Sequence, residues 1–168
     1  MTRRDERALA RLCDAARRVA SAVVDPEIPV ISIADLGILR DVVVNGDRVE
    51  VVITPTYSGC PAMNMIKSEI EQALAAAQLS PVVVTTVLSP AWTTDWITDT
   101  GRQQLLDYGI APPVRGDGRT TLFRTAAVAC PRCGSVETSQ LAPFGSTACK
   151  ALWRCDRCRE PFDYFKCH

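Results

Sequence analysis

A chain of 168 residues has room for one ordinary domain, or for a medium domain and a small one. Apolar residues make up 47% and charged residues 23%, the profile of a soluble globular protein, and 19 basic side chains balance 19 acidic ones. That balance removes any bulk electrostatic basis for binding nucleic acid or an anionic membrane, and no apolar run reaches the ~18 residues of a membrane span.

The N-terminus is rich in arginine (Arg3, Arg4, Arg7, Arg11), but Asp5, Glu6 and Asp14 are interleaved and no apolar stretch follows. Targeting peptides are poor in acids, so the segment reads as an ordinary helix of a cytoplasmic protein. Leu9, Leu12, Ala16, Val19, Ala20 and Val23 recur at helical spacing and predict an amphipathic helix from Arg7 to Val24. Asp25-Pro26 stops it, because the residue before proline is pushed out of the helical region. An extended loop runs through Asp25-Pro26-Glu27-Ile28-Pro29, followed by a short Ile31-Ser32-Ile33 segment and Asp35-Leu36-Gly37.

Ile38 to Val44 and Val49 to Thr54 read as two strands joined by Asn45-Gly46-Asp47, a strong hairpin signal between β-branched runs. A helix is expected from Pro61 to about Gln78, with Met65, Ile66, Ile70 and Leu74 among its apolar positions. Val82 to Leu88 is a further strand, and Gly101 to Tyr108 a short helix ended by Gly109-Ile110-Ala111-Pro112-Pro113. The polar, glycine-containing residues 114–124 read as a linker. The expected architecture is α+β: a small mixed-sheet domain over residues 1–113, the linker, and a metal-centred unit over 125–168.

That last unit carries the strongest signal in the chain. Cys130-Pro-Arg-Cys133 is followed after twenty-one residues by Cys155-Asp-Arg-Cys158. Two such knuckles at this separation place four thiolates tetrahedrally around one ion, and soft sulfur ligands favour zinc or an iron–sulfur assembly over magnesium or calcium. Six of the eight cysteines lie after residue 129 and no signal peptide precedes them, so metal binding is expected rather than disulfides. So short a segment buries too little apolar surface to fold alone, and the metal supplies what is missing. A closed four-thiolate set has no open coordination position, which makes the zinc structural. The alternatives are a redox pair or a nucleic-acid-binding ribbon, and the latter is opposed by only six basic against four acidic residues from Ala126 onward. Trp153, Phe162, Tyr164 and Phe165 read as its small core. Cys149, Cys167 and His168, the only histidine, are left over, either as inert groups or as a second labile thiolate site.

Cys60 is the chemically interesting cysteine of the first domain. Pro61 suits the first helical position, which places Cys60 at the N-cap, where unpaired N–H groups and the helix dipole are expected to lower its pKa. The only histidine lies at the far end of the chain, so a Cys–His hydrolase is not available, and a binding or transfer thiolate fits better. A small apolar cysteine without chemistry is the alternative. Cys13, within the first helix, is expected to be packed. Asp25, Glu27, Asp35 and the run Trp92-Thr-Thr-Asp-Trp96 are candidates for a shared rim with Cys60, although acids in such loops are usually turn-formers.

Asp25-Pro-Glu-Ile-Pro29, Ile33-Ala-Asp-Leu-Gly37, Thr54 through Pro61 and Trp92 to Ile97 together resemble the metal–sulfur cluster assembly domain, which SufT and related cluster-targeting factors share. Phe144-Gly-Ser-Thr-Ala-Cys-Lys150 and Glu160-Pro-Phe-Asp-Tyr-Phe-Lys-Cys-His168, with the two knuckles, resemble the C-terminus of the PaaD (PaaJ) family of phenylacetate degradation. That likeness runs from about Val24 to the end of the chain. It implies an accessory role beside the multicomponent phenylacetyl-CoA oxygenase, in maturing the iron–sulfur cluster of its reductase. It maps the reactive cysteine of the assembly domain onto Cys60 and its acidic loop onto Asp25 and Glu27, with a transient iron–sulfur cluster beside the Zn2+ of the ribbon. The implied partners are the oxygenase components and, as a homodimer, a second copy of the chain. A structural part of the oxygenase is the competing expectation. An independent enzyme is not expected, because no general base, phosphate loop or cofactor fingerprint is present. The generic assembly domain lacks the ribbon, so its mechanism does not carry over whole.

Overall fold

The computed structural model describes residues 3–113 and 128–166. The expected linker, Cys167 and His168 lie outside the described residues. The chain divides into two compact units, Met1–Trp92 and Thr93–His168.

The first unit opens with helix α1 (Arg3–Ser21), which carries Asp5 and Glu6 in its first turn and Arg18 in its last, as the helix dipole favours. Its buried stripe is Ala16 and Ala20. It ends at Ser21 rather than Val24, because Ala22 and Val23 donate to the carbonyls of Val19 and Ala20 in a tightened last turn. Val24 is then free to enter strand β1 (Val24–Asp25), which pairs antiparallel with β2 (Ile28–Ser32). Part of the expected loop is therefore a small hairpin with Pro26 and Glu27 at its tip.

The main sheet of this unit has the order β3-β4-β5, from β3 (Leu39–Asn45), β4 (Arg48–Ile53) and β5 (Val82–Thr86). Asn45 faces Arg48 across the β3–β4 turn, and Gly46 takes a φ of +67° there, which an L side chain resists. β5 runs parallel to β4, so the chain must cross over, and helix α2 (Met63–Ala76) makes that crossing. The mixed sheet expected from the sequence is thus present. Period-2 alternation along β4 buries Val49, Val51 and Ile53, with Val42 of β3 alongside Val51. α1 packs on β3 and α2 on β5, and the two helices touch. Ile66, Ile70 and Leu74 of α2, all at zero exposure, complete this core. Each such fully buried aliphatic side chain contributes about 1.5–3 kcal/mol by leaving water.

The second unit begins with a 3₁₀ turn (Thr94–Trp96) and helix α3 (Asp99–Asp107), whose Thr98 hydroxyl accepts the Gly101 N–H at 3.0 Å as an N-cap. Its sheet has the order β6-β9-β8-β7, from β6 (Ile110–Ala111), β7 (Thr138–Ala142), β8 (Lys150–Cys155) and β9 (Pro161–Phe165). Ile110 and Ala111 pair in parallel with Asp163 and Tyr164. The stretch from Thr93 to Pro113, which composition alone groups with the first domain, is in this way hydrogen-bonded to the last strand. A second core joins Ala111, Val128, Cys130, Cys155 and Phe162. Trp153 and Tyr164 pack against it edge to face, with ring centroids 5.9 Å apart.

The α1–β3 contact carries an ion pair, Arg17 Nη2 to Asp41 Oδ1 at 2.6 Å. The Arg17 guanidinium holds the Asp41 carboxyl below its usual range, helped by the Val42 N–H. A carboxyl lowered in the folded state stabilises above its unfolded value of about 3.9 and loses that effect as pH falls through the folded value. Both partners are about half exposed, so the pair is worth under about 1 kcal/mol. Asp41→Asn should accordingly lower stability by that small amount at pH 7. Urea titrations of both proteins should converge as the pH drops below about 4.

Candidate functional site

Each knuckle of the ribbon is built by the same backbone bonds. The first cysteine donates to a carbonyl five residues on, Cys130 to Ser135 at 2.9 Å and Cys155 to Glu160 at 3.0 Å. Its own carbonyl accepts from the residue four on, Gly134 at 2.9 Å and Arg159 at 2.9 Å. Closing so tight a loop forces that fourth residue left-handed, with φ of +71° at Gly134 and +66° at Arg159. Sequence reading missed this repeat; the glycine after Cys133 was its only local signal, since Arg159 gives none.

The two loops bring Cys130, Cys133, Cys155 and Cys158 together, with all four sulfurs within 4.8 Å of one another. Cys130 and Cys158 sulfurs are 3.8 Å apart, and those of Cys133 and Cys155 3.6 Å. A tetrahedron with zinc–sulfur bonds of about 2.3 Å has edges of about 3.8 Å. A disulfide needs about 2.05 Å, so the arrangement fits an ion among four thiolates and not a pair of cross-links. The Cys158 N–H donates to the Cys155 sulfur at 3.4 Å and holds that thiol down to about 7. Although the Glu160 N–H lowers Cys158, burial and the three neighbouring sulfurs push it up to about 12. One thiol of the set ionises readily and the next resists, so a cation is needed to hold all four as thiolates.

Around Cys60 the geometry differs from the expectation. α2 starts at Met63 with Ala62 as its N-cap, so Cys60 stands two residues before the cap rather than at it. Its N–H donates to Tyr57 and its carbonyl accepts from Met63. Burial pushes the thiol up, and the N–H groups of Ala62 and Met63 only partly offset this. The carboxylates of Glu27 and Asp25 push it up further. The lowered pKa expected from the sequence is therefore reversed, because the sulfur is half withdrawn from water and faces two anions.

Asp25 and Glu27 thus lie close enough to Cys60 for their charges to act on it. Asp25 is 6% exposed, and its Oδ1 accepts the N–H groups of Glu27 at 2.8 Å and Ile28 at 2.9 Å. It fixes the β1–β2 tip on which Glu27 sits. Asp35 is bonded to Ser32, and the Trp92 indole N–H donates to the Leu36 carbonyl at 3.0 Å. The Trp92–Ile97 run is split, with Trp92 in the first unit and the rest in the second. Cys13 is packed as expected, its thiol donating to the Val42 carbonyl at 3.2 Å. Cys149 is buried, with its sulfur 3.0 Å from the Thr147 hydroxyl. Among the described residues only the four ribbon cysteines converge as a group of three or more metal-ligating side chains.

Each sulfur site has its own test. Cys155→Ser should release the ribbon metal and unfold the ribbon while leaving the first unit folded, read by metal analysis and by amide spectra; an ordered ribbon in the metal-free variant would contradict this. Alkylation of Cys60, in a variant keeping only it and the four ribbon cysteines, should show a midpoint above the ~8.5 of a free thiol. A midpoint below that value would mean that the helix terminus outweighs burial after all.

Two family models match separate parts of the chain. Residues 14–88 match the family model described as "Iron-sulfur cluster assembly protein", and residues 115–166 match "PaaD zinc beta ribbon domain". The crystal structure of a domain of unknown function, DUF59, from Bacillus anthracis is 22% identical at a TM-score of 0.55, covering 60% of this chain and 96% of that one. This likeness concerns the fold alone. The solution structure of Rv1466 from Mycobacterium tuberculosis is 31% identical and covers 60% of this chain and 86% of that one; its TM-score of 0.33 carries no weight. A protein of Escherichia coli (strain K12), named as a putative subunit of 1,2-phenylacetyl-CoA epoxidase, is 51% identical over 147 residues, 88% of either chain. With that identity over 88% of either chain, and with the PaaD ribbon model matched at residues 115–166, the chain belongs to the PaaD family.

Proposed function

We propose that this chain is an accessory protein of phenylacetate degradation that assists iron–sulfur cluster maturation of the reductase component of phenylacetyl-CoA epoxidase. The observation that carries the reading is a half-buried cysteine, Cys60, that feels the charge of Glu27 and Asp25, in a domain that matches iron–sulfur cluster assembly proteins. Iron and sulfide are cargo here, held briefly through the Cys60 sulfur. A thiol whose pKa is raised must give up its proton to bind iron, so protons compete with the cargo and the hold is weak. Weak binding is what a handover site needs. The neighbouring carboxylates supply negative charge that attracts a cation without closing a full ligand set around it.

The ribbon has the other role. Zn2+ held by Cys130, Cys133, Cys155 and Cys158 is structural, with no open position for chemistry. The chain is not an enzyme by itself in this reading; it works in the cytoplasm with the oxygenase components. The relative's name, which calls that protein a subunit, favours a second reading: a structural part of the oxygenase that binds its partners and transfers no metal.

Cys60→Ala separates the two. Removing one half-buried thiol far in sequence from the ribbon should leave the protein folded and zinc-loaded. Under the maturation reading, the reductase purified from such cells should be poor in iron and acid-labile sulfide. A normally loaded reductase would sink that reading and leave the structural one.

A further inference from the structure

The two knuckles close with the same pair of backbone bonds but carry different residues at the corner those bonds create. Where the first has Gly134 in the left-handed position, the second has Arg159, at φ +66°. A Cβ placed on Gly134 would meet nothing within 4 Å, so this corner of a knuckle is open space. Only the backbone conformation disfavours a side chain there, at roughly 1–2 kcal/mol for an L residue. Glycine would relieve that strain.

Nothing within the described residues offsets it. Arg159 is exposed, and its guanidinium makes no hydrogen bond or ion pair among the described residues. The same holds for Arg157, two positions earlier on the same loop. The neighbouring arginines are committed, Arg132 to Glu160 at 3.0 Å and Arg154 to Asp156 at 3.2 Å. Those pairs also take up two of the acids of this loop. What is left is a pair of free guanidiniums on either side of Cys158, one of them kept at a cost to the fold. Strain retained without an internal return marks a group used from outside.

We infer that the tip of the second knuckle, through Arg157 and Arg159, docks on a carboxylate-bearing surface of a partner protein. Guanidinium forks bind carboxylates with two parallel hydrogen bonds, and such pairs become strong when an interface removes them from water. A nucleic-acid phosphate is the less suitable anion, because the chain is neutral overall and the tip offers two free charges rather than a basic track. The inference rests on the reading that this chain works in contact with the oxygenase components.

The test uses full-length, zinc-loaded protein titrated onto purified, immobilised oxygenase components at low and moderate salt. Arg159→Gly should bind about tenfold or more weakly, the range for truncating one hydrogen-bonded charge at an interface. Its zinc content should be unchanged and its melting temperature equal or slightly higher. Arg157→Gln with Arg159→Gly should bind more weakly still and lose most of the salt dependence. Unchanged binding by Arg159→Gly overturns the inference while leaving the proposed function in place. Loss of zinc from Arg159→Gly also overturns it, since the guanidinium would then serve the thiolates. Wild-type protein that binds no oxygenase component removes the proposed function itself, and the docking surface with it.

Discussion

Four thiols whose sulfurs all lie within 4.8 Å cannot all ionise unless a cation sits among them, and the second half of this protein is organised around that constraint. The cysteines are also core residues: Cys130 and Cys155 are buried with Ala111, Val128 and Phe162. A core this small stabilises too little to hold three short strands and a two-residue parallel edge in place. Metal binding at such a site supplies about 10–16 kcal/mol, which exceeds the whole net stability of many domains.

The other sulfur site obeys the opposite logic. Cys60 belongs to no group of three or more metal-ligating side chains among the described residues, its pKa is raised instead of lowered, and the charges that act on it are those of carboxylates. A closed tetrahedron of soft ligands holds its ion for the life of the fold, whereas one protonated thiol near two acids holds a soft metal loosely. In the proposed reading one chain carries a permanent sulfur site and a temporary one, in separate compact units. Asp25, by binding two backbone N–H groups at the β1–β2 tip, sets where Glu27 sits.

Much of this was legible in the sequence. The doubled knuckles gave the four ligands, Asn45-Gly46 gave the hairpin, and the apolar spacing gave α1 and α2 to within a few residues. The misses have physical causes. Pro61 is suited to a first helical position, but it forms a turn with Ala62 before α2, and no local rule separates a proline in that turn from one in the helix. The direction of the Cys60 shift depends on burial and on acids more than thirty residues away, neither of which a local motif carries. The association of Ile110 and Ala111 with β9 is a long-range parallel pairing of two residues, too short to leave a pattern. Arg159 shows no sign of its left-handed backbone, because only the comparison with Gly134 reveals it.

The central claim is that the two sulfur sites have different duties, a resident zinc in the ribbon and a transient iron–sulfur cargo at Cys60. Metal and acid-labile sulfide analysis of anaerobically purified protein, wild type beside Cys60→Ser, tests it most directly. The account predicts equimolar zinc in both proteins, with iron and sulfide present in the wild type and lost from the variant. Iron and sulfide retained equally by Cys60→Ser, or zinc lost along with them, would contradict it.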